Sequence, residues 1–211
     1  MLGVCAIVEP RKHKALRFVV ANVRDVIPDW PIYVFHGTEN EDWAKSELAG
    51  IANISFFRLN VDNLSIAQYN QVLCSSVFYS FLESEYVLIF QTDCMLMHNH
   101  KIDDFLGYDY IGAVWDWKAT HRIGNGGLSL RRVSAMKRVC EGFDFDQHTN
   151  EDVYFSQQDL NFPPEELAQA FSVESSFHRA PFGIHKPWVF MSVETIRRIC
   201  TRVDELIALQ S

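Results

Sequence analysis

The stretch Val87-Leu88-Ile89-Phe90-Gln91-Thr92-Asp93-Cys94-Met95-Leu96 decides how this chain folds. An unbroken apolar run over Tyr86 to Phe90 predicts a strand that asks for burial on both faces, and such strands belong in a sheet covered by helices on each side. The run then ends on a carboxylate, Asp93, at the edge where open α/β sheets hold their ligands. Burying Asp93 between apolar flanks is costly unless a cation or hydrogen-bond donors compensate it. Capping of the next loop is the other role open to it. Cys94 points the other way along an extended chain and reads as structural.

Upstream, the same alternation repeats. Gly3 to Val8 is a first apolar strand, and Leu16, Val19, Val23 and Ile27 recur at helical spacing until Pro28-Asp29-Trp30-Pro31 breaks the chain. Ile32 to Phe35 predicts a second strand, Glu41 to Leu48 a short helix, and Ile54 to Phe57 a third strand. Ser65 is placed to cap one long helix with Ile66, Tyr69, Leu73, Val77 and Phe81 on its apolar face. Beyond residue 100 the alternation fails: five of the ten glycines lie between Gly107 and Gly127, and Pro163-Pro164 and Pro181 punctuate the rest. A last amphipathic helix is expected after Ser192, carrying Val193, Ile196, Cys200, Val203 and Ile207. The expectation is one α/β domain, Rossmann-like, with a mostly parallel central sheet flanked by helices.

Composition bounds the function. The 211 residues are 48% hydrophobic, which suits a chain with a substantial core, and carry a formal net charge of −8. A surface acidic on average repels polyanions, so nucleic acid is not an expected partner. A phosphate-bearing ligand would need a few local cations or a metal ion. Cys5, Cys74, Cys94, Cys140 and Cys200 are odd in number and widely spaced, and predict reduced thiols in a reducing compartment. No apolar window reaches about 18 residues and the first residues lack a basic leader, so neither a membrane span nor secretion is expected. The expected location is the cytoplasm.

Four further segments carry candidate chemistry. Asn125-Gly126-Gly127 precedes an apolar run, so its backbone is either a hairpin turn or a close-approach surface for a ligand. Glu151-Asp152 begins a helix, where carboxylates are favoured by the dipole alone or serve as a general base. Gly183-Ile184-His185-Lys186-Pro187-Trp188 packs an imidazole, a cation and an aromatic ring into one loop. Val8-Glu9-Pro10-Arg11-Lys12-His13-Lys14 follows the first strand and brings basic side chains, with Tyr69 and Asn70, to the sheet end of Asp93.

Taken in this order, the segments resemble a nucleotide-sugar glycosyltransferase of the GT-A fold over nearly the whole chain. Gln91-Thr92-Asp93 is similar to that fold's D-x-D element, Asn125-Gly126-Gly127 to its sugar-facing glycine loop, Glu151-Asp152 to its x-E-D element, and Gly183 to Trp188 to the G-x-x-K-P-W signature of several such families. The likeness is greatest to the N-terminal glycosyltransferase domain of a multidomain chlorella-virus protein. It implies a nucleotide-binding half over residues 1–97 and a donor-sugar and acceptor half over 98–211.

The same resemblance implies a metal ion, Mn2+ or Mg2+, held by Asp93 and His185, with His178 in reserve. It implies donor contacts from Val8, Glu9, Arg11, Lys14, Tyr69, Gln91, Thr92, Asn125, Gly126, Gly127 and Lys186, and catalytic roles for Asp152 and Glu151. Trp115 and Trp117 are candidates for stacking on a sugar ring. A UDP-sugar donor, a glycan or glycoprotein acceptor, and a place in a longer multidomain chain in a host-cell cytoplasm follow from it. Two positions depart from the pattern: Gln91 replaces the first Asp of D-x-D, and Ala180 stands where those families place a histidine. A non-catalytic nucleotide-sugar module and a nucleotidyltransferase on a related sheet are the alternative readings.

Overall fold

The computed structural model describes residues 1–142 and 150–210. In its first half β1 (Gly3–Val8), α1 (Leu16–Val26), β2 (Ile32–His36), α2 (Glu41–Glu47), β3 (Ile54–Arg58), α3 (Ile66–Leu73), α4 (Ser76–Ser80) and β4 (Tyr86–Phe90) follow one another. Next come β5 (Cys94–Leu96), β6 (Tyr110–Ile111), β7 (Leu128–Arg132), α5 (Val133–Gly142), α6 (Glu151–Ser156), α7 (Glu165–Phe171) and β8 (Ser172–Val173). β9 (Gly183–His185), α8 (Val193–Arg197) and α9 (Val203–Ala208) complete the described chain.

One sheet has the order β3-β2-β1-β4-β7-β6, and a smaller one the order β5-β9-β8. β3, β2, β1 and β4 run parallel, which obliges the chain to cross over through helices between them. β7 then pairs antiparallel with β4, and β6 with β7, so the sheet is parallel in its first half and antiparallel at its far edge. The unbroken apolar strands are explained by this position. Cys5 and Ile7 of β1, with Leu88 and Phe90 of β4, pack into a cluster with Leu16, Val19 and Val23 of α1. The alternate residues Val4, Ala6, Val8, Val87 and Ile89 face the other way, onto Leu73, Phe78, Met136 and Val139. A side chain such as Leu88, 0% exposed, contributes about 1.5–3 kcal/mol by that burial. Among the described residues the five cysteines are all free thiols, four of them buried.

Two helices differ from expectation. The segment after Ser65 is not one helix: a Ser65/Gln68 capping box starts α3, but the chain turns at Cys74 and Ser75 before α4 begins. The turn changes the helical phase, so in α4 Phe78 and Tyr79 are buried whereas Val77 and, just after it, Phe81 are exposed; Ile66, at the start of α3, is exposed as well. The C-terminal helix is likewise two pieces, although Ile196, Cys200 and Val203 are buried as their spacing predicts. No described helix is long and apolar enough to cross a membrane.

Candidate functional site

A cavity of about 570 Å3 opens at the carboxyl ends of β1 and β4. Its lining joins Val8, Glu9 and Arg11 from the loop after β1, Tyr69 from α3, Gln91, Thr92 and Asp93 after β4, and Asn125 to Gly127 before β7. Glu151 and Asp152 from α6, Glu174 after β8, and His185 and Lys186 at the end of β9 close it. The sequence-predicted residues therefore converge, with two exceptions. Lys14 is exposed and lies outside the lining, because α1 begins almost at once and carries it away from the sheet edge. His178 lies outside the lining too, its Nδ1 accepting from the Ala180 amide at 3.3 Å.

The small sheet assembles the centre of the site. β9 pairs antiparallel with β5 so that His185 lies opposite Cys94, and its Nε2 comes 3.3 Å from Asp93 Oδ1 and 3.3 Å from Gln91 Oε1. On its other side β9 runs parallel to β8, with Val173 beside Ile184, so Glu174 arrives next to His185. The Glu174 carboxylate lies 3.2 Å from His185 Nδ1. Gln91 donates its Nε2 to the Tyr69 hydroxyl at 2.9 Å, which turns Oε1 toward His185. Asp93 Oδ1 is buried and has no hydrogen bond of acceptable geometry among the described residues.

Burial alone would raise the Asp93 carboxyl, but the adjacent His185 imidazolium holds it down to about 2. Burial likewise opposes charge on His185, yet Asp93 and Glu174 hold the imidazole up to about 9. The signs give a pH test. His185, raised above its usual 6.5, contributes stability that is fully present below pH 6.5 and is lost as pH rises through about 9. Asp93, depressed below 3.8, contributes stability present above that value and lost as pH falls through about 2. Urea midpoints of the metal-free protein are therefore expected to fall between pH 6.5 and 9 relative to those of His185→Gln. Parallel profiles for the two proteins would contradict the pairing.

Two oxygens, each 3.3 Å from one imidazole nitrogen, with Asp93 Oδ1 lacking a hydrogen bond among the described residues, are a donor set that fits a divalent cation. Cys94 Sγ is also nearby. Burial pushes its thiol well up, and it donates to the Gly127 carbonyl at 3.0 Å, so it is a prop for the loop and not a ligand.

The glycine loop is held from beneath. A Cβ on Gly127 would come 2.2 Å from the His185 ring, and one on Gly126 would meet the Glu151 carboxylate, so only glycine lets both side chains reach the cavity floor. Asn125, at φ 63°, donates to Glu174 and lies 2.9 Å from His185 Nδ1. Asp152 Oδ2 accepts from the Gly126 amide at 3.1 Å. Glu151 is 3% exposed and accepts from Arg131 Nη2 at 3.0 Å. Burial pushes its carboxyl up to about 7 against the attraction of that guanidinium. Arg131, itself fully buried, is desolvated but kept cationic by Glu151, and it also donates to Tyr79 and Ser129. Asn70 of α3 bridges to the start of α6 by accepting from the Glu151 amide.

Around the rim, Arg11 is clamped by Glu9 through its backbone amide, Nε and Nη2. Lys186, in a left-handed turn at φ 34°, donates its amide to the Asp93 carbonyl. Trp115 is 3% exposed and gives its indole N–H to Glu174 at 3.1 Å, whereas Trp117 beside it is 60% exposed. Sequence reasoning missed Glu174 and the buried pair of Arg131 with Glu151. The one available signal for Glu174 was a carboxylate directly after Phe171-Ser172-Val173, a β-prone stretch with apolar ends.

A family model described as "Protein of unknown function (DUF5672)" matches residues 52–185. No curated protein matches the sequence. Among solved structures, galactosyltransferase LgtC in complex with donor and acceptor sugar analogs is similar at 15% identity and a TM-score of 0.56, over 100% of this chain and 96% of that one. An active-site mutant of LgtC is similar at 15% identity and a TM-score of 0.57, over 98% of this chain and 95% of that one. A 4-diphosphocytidyl-2C-methyl-D-erythritol synthase from Anaerococcus prevotii DSM 20548 is similar at 13% identity and a TM-score of 0.50, over 75% of this chain and 84% of that one. These likenesses establish a GT-A-like α/β fold.

Proposed function

The chain belongs to the DUF5672 family, whose model covers more than half of its length, and we propose that it is a metal-dependent glycosyltransferase. It moves a hexosyl or deoxyhexosyl group from a nucleotide sugar, with UDP-sugars the first expectation, to a hydroxyl of a glycan or glycoprotein. The observation that carries the reading is the convergence of Asp93 Oδ1, Gln91 Oε1 and His185 Nε2 in the cavity at the carboxyl ends of β1 and β4. A divalent ion held there, Mn2+ being better served than Mg2+ by the nitrogen, would supply positive charge for a departing diphosphate. Gln91 brings no charge of its own, so the site leans on Asp93, His185 and the diphosphate itself.

The remaining residues divide by place. Val8, Glu9, Tyr69 and Thr92 line the part of the cavity assigned to the nucleoside, and Lys186 adds a cation for phosphate. Arg11 is already neutralised by Glu9, so its share is smaller. Asn125, Gly126 and Gly127 face the donor sugar. Asp152 deprotonates the acceptor hydroxyl if configuration inverts, or positions the donor sugar if it is retained. Glu151, locked to Arg131, holds the start of α6 beneath Gly126. Trp117 offers an exposed face to an acceptor ring, while Trp115 does not, because it is buried and Lys118 Nζ sits 4.0 Å from its ring. The resemblance to a chlorella-virus domain extends the reading to part of a longer chain in a host-cell cytoplasm.

A thermal-shift screen of UDP-, GDP- and ADP-sugars with and without Mn2+, followed by assay of released nucleotide, tests this function. A metal-dependent shift and slow donor hydrolysis are expected, with Trp117→Ala raising the acceptor KM and sparing donor hydrolysis. No shift with any of the three sugar classes in Mn2+ would sink the reading, and a shift without hydrolysis would leave a binding module. The fold shared with the diphosphocytidyl-methylerythritol synthase supports a second reading, a nucleotidyltransferase. Pyrophosphate release from a nucleoside triphosphate would establish it, although Glu9-Pro10-Arg11 after β1 is not the glycine-rich basic loop that such chemistry favours.

A further inference from the structure

Glu174 reaches the site through the pairing of β8 with β9. Its carboxylate is 5% exposed and takes three contacts: the Trp115 indole N–H at 3.1 Å, the Asn125 amide, and His185 Nδ1 at 3.2 Å. Among the described residues His185 is its only charged partner. A buried carboxylate is costly to hold, and a neutral amide could accept from Trp115 with far less desolvation. The negative charge is therefore explained by the imidazole.

For the neutral ring that a cation requires, the geometry at Nδ1 poses a choice. The Asn125 amide nitrogen, 2.9 Å away, can donate to Nδ1, which would leave the proton on Nε2, aimed at Asp93 and Gln91. Glu174 favours the opposite arrangement, with Nδ1–H donated to its carboxylate and the Nε2 lone pair turned toward the two oxygens. Metal-bound histidines are oriented by such outer carboxylates. We infer that Glu174 is a positioning residue, which fixes the ring orientation and proton position that let His185 hold a divalent cation and ties that ligand to the cavity wall through Trp115. The inference rests on the metal reading of Asp93 and His185.

The test is Mn2+ affinity at fixed pH with UDP present, read from the electron paramagnetic resonance signal of free Mn2+, together with UDP affinity without metal and the melting temperature. Glu174→Gln is expected to weaken Mn2+ binding about 10–100-fold while metal-free UDP affinity holds. Trp115→Phe, which removes only the indole bond, is expected to lower the melting temperature and keep Mn2+ affinity within about threefold of the original, well short of the outer-ligand effect. Should the Gln variant not fold, Glu174→Asp keeps the charge but withdraws the carboxylate, and carries the same readout with a smaller loss. Mn2+ affinity in the Glu174 variants equal to that of Trp115→Phe would overturn the proposal and leave Glu174 a packing residue. Unchanged Mn2+ affinity in His185→Ala would instead overturn the metal reading, and this proposal with it.

Discussion

Asp93→Ala is expected to abolish the stabilisation of this protein by UDP and Mn2+ together. With ligand at about 100 times its Kd, binding adds about 2.7 kcal/mol to the folded state. A chain of this size gains about 2–4 °C per kcal/mol, so the intact protein should melt about 5–10 °C higher when liganded. Among the described residues Asp93 supplies the one carboxylate facing His185 Nε2, and its Oδ1 has no hydrogen bond there, whereas Gln91 offers only an amide oxygen. Without it the cation keeps one neutral nitrogen and one neutral oxygen from the protein, a poor set for a hard divalent ion. The unliganded melting temperature should fall too, because Asp93 no longer pairs with the His185 imidazolium, so the liganded shift is read against each protein's own unliganded baseline. Differential scanning fluorimetry with UDP alone, Mn2+ alone and both decides the matter. A liganded shift in the variant matching that of the intact protein would remove Asp93 from the site.

Arg131→Met is expected to have the largest effect on stability. The guanidinium is 0% exposed, donates to Glu151, Tyr79 and Ser129, and lies over the Tyr110 and Phe155 rings. Removing it strands the Glu151 carboxylate, whose Oε2 already lacks a partner among the described residues, in an apolar surround. Breaking a buried pair from one side costs about 3–5 kcal/mol, of which a neutral partner recovers part. Urea unfolding should therefore place Arg131→Met well below the intact protein, and Arg131→Met with Glu151→Gln between the two. A single variant within about 1 kcal/mol of the intact protein would show that the pair is not a structural anchor. The damage should reach the site as well, because Glu151 fills the space beneath Gly126 and its neighbour Asp152 holds the Gly126 amide.

The parts of the molecule that were legible in sequence are those where one residue pattern has one physical solution. Gly3–Val8 and Tyr86–Phe90 are apolar on consecutive positions, and only a strand covered on both sides buries them. Ser65 announced a helix start because its hydroxyl and Gln68 satisfy each other's backbone amides. The end of that helix was not legible. Ile66, Tyr69, Leu73, Val77 and Phe81 keep helical spacing straight through the turn at Cys74 and Ser75, and spacing does not record a change of phase. Lys14 was misplaced for a related reason: a basic residue near a strand end reaches the crevice only if the chain stays extended, and α1 begins two residues later.

By itself, then, the sequence determined the parallel α/β half and the position of Asp93 at the end of a central strand, and it marked 125–127 as either a turn or a close-approach surface. These follow from local preferences and from which faces must be dry. The tertiary structure decided which side chains meet. The β5-β9-β8 order sets His185 between Asp93 on one side and Glu174 on the other, although Glu174 is distant in sequence from Asp93 and belongs to no recognisable motif. The same holds for Arg131, for which no sequence pattern was singled out and which is the buried partner of Glu151. Strand pairing is a non-local interaction, settled by the burial of whole faces, and no spacing along the chain encodes which carboxylate it will deliver to a given imidazole.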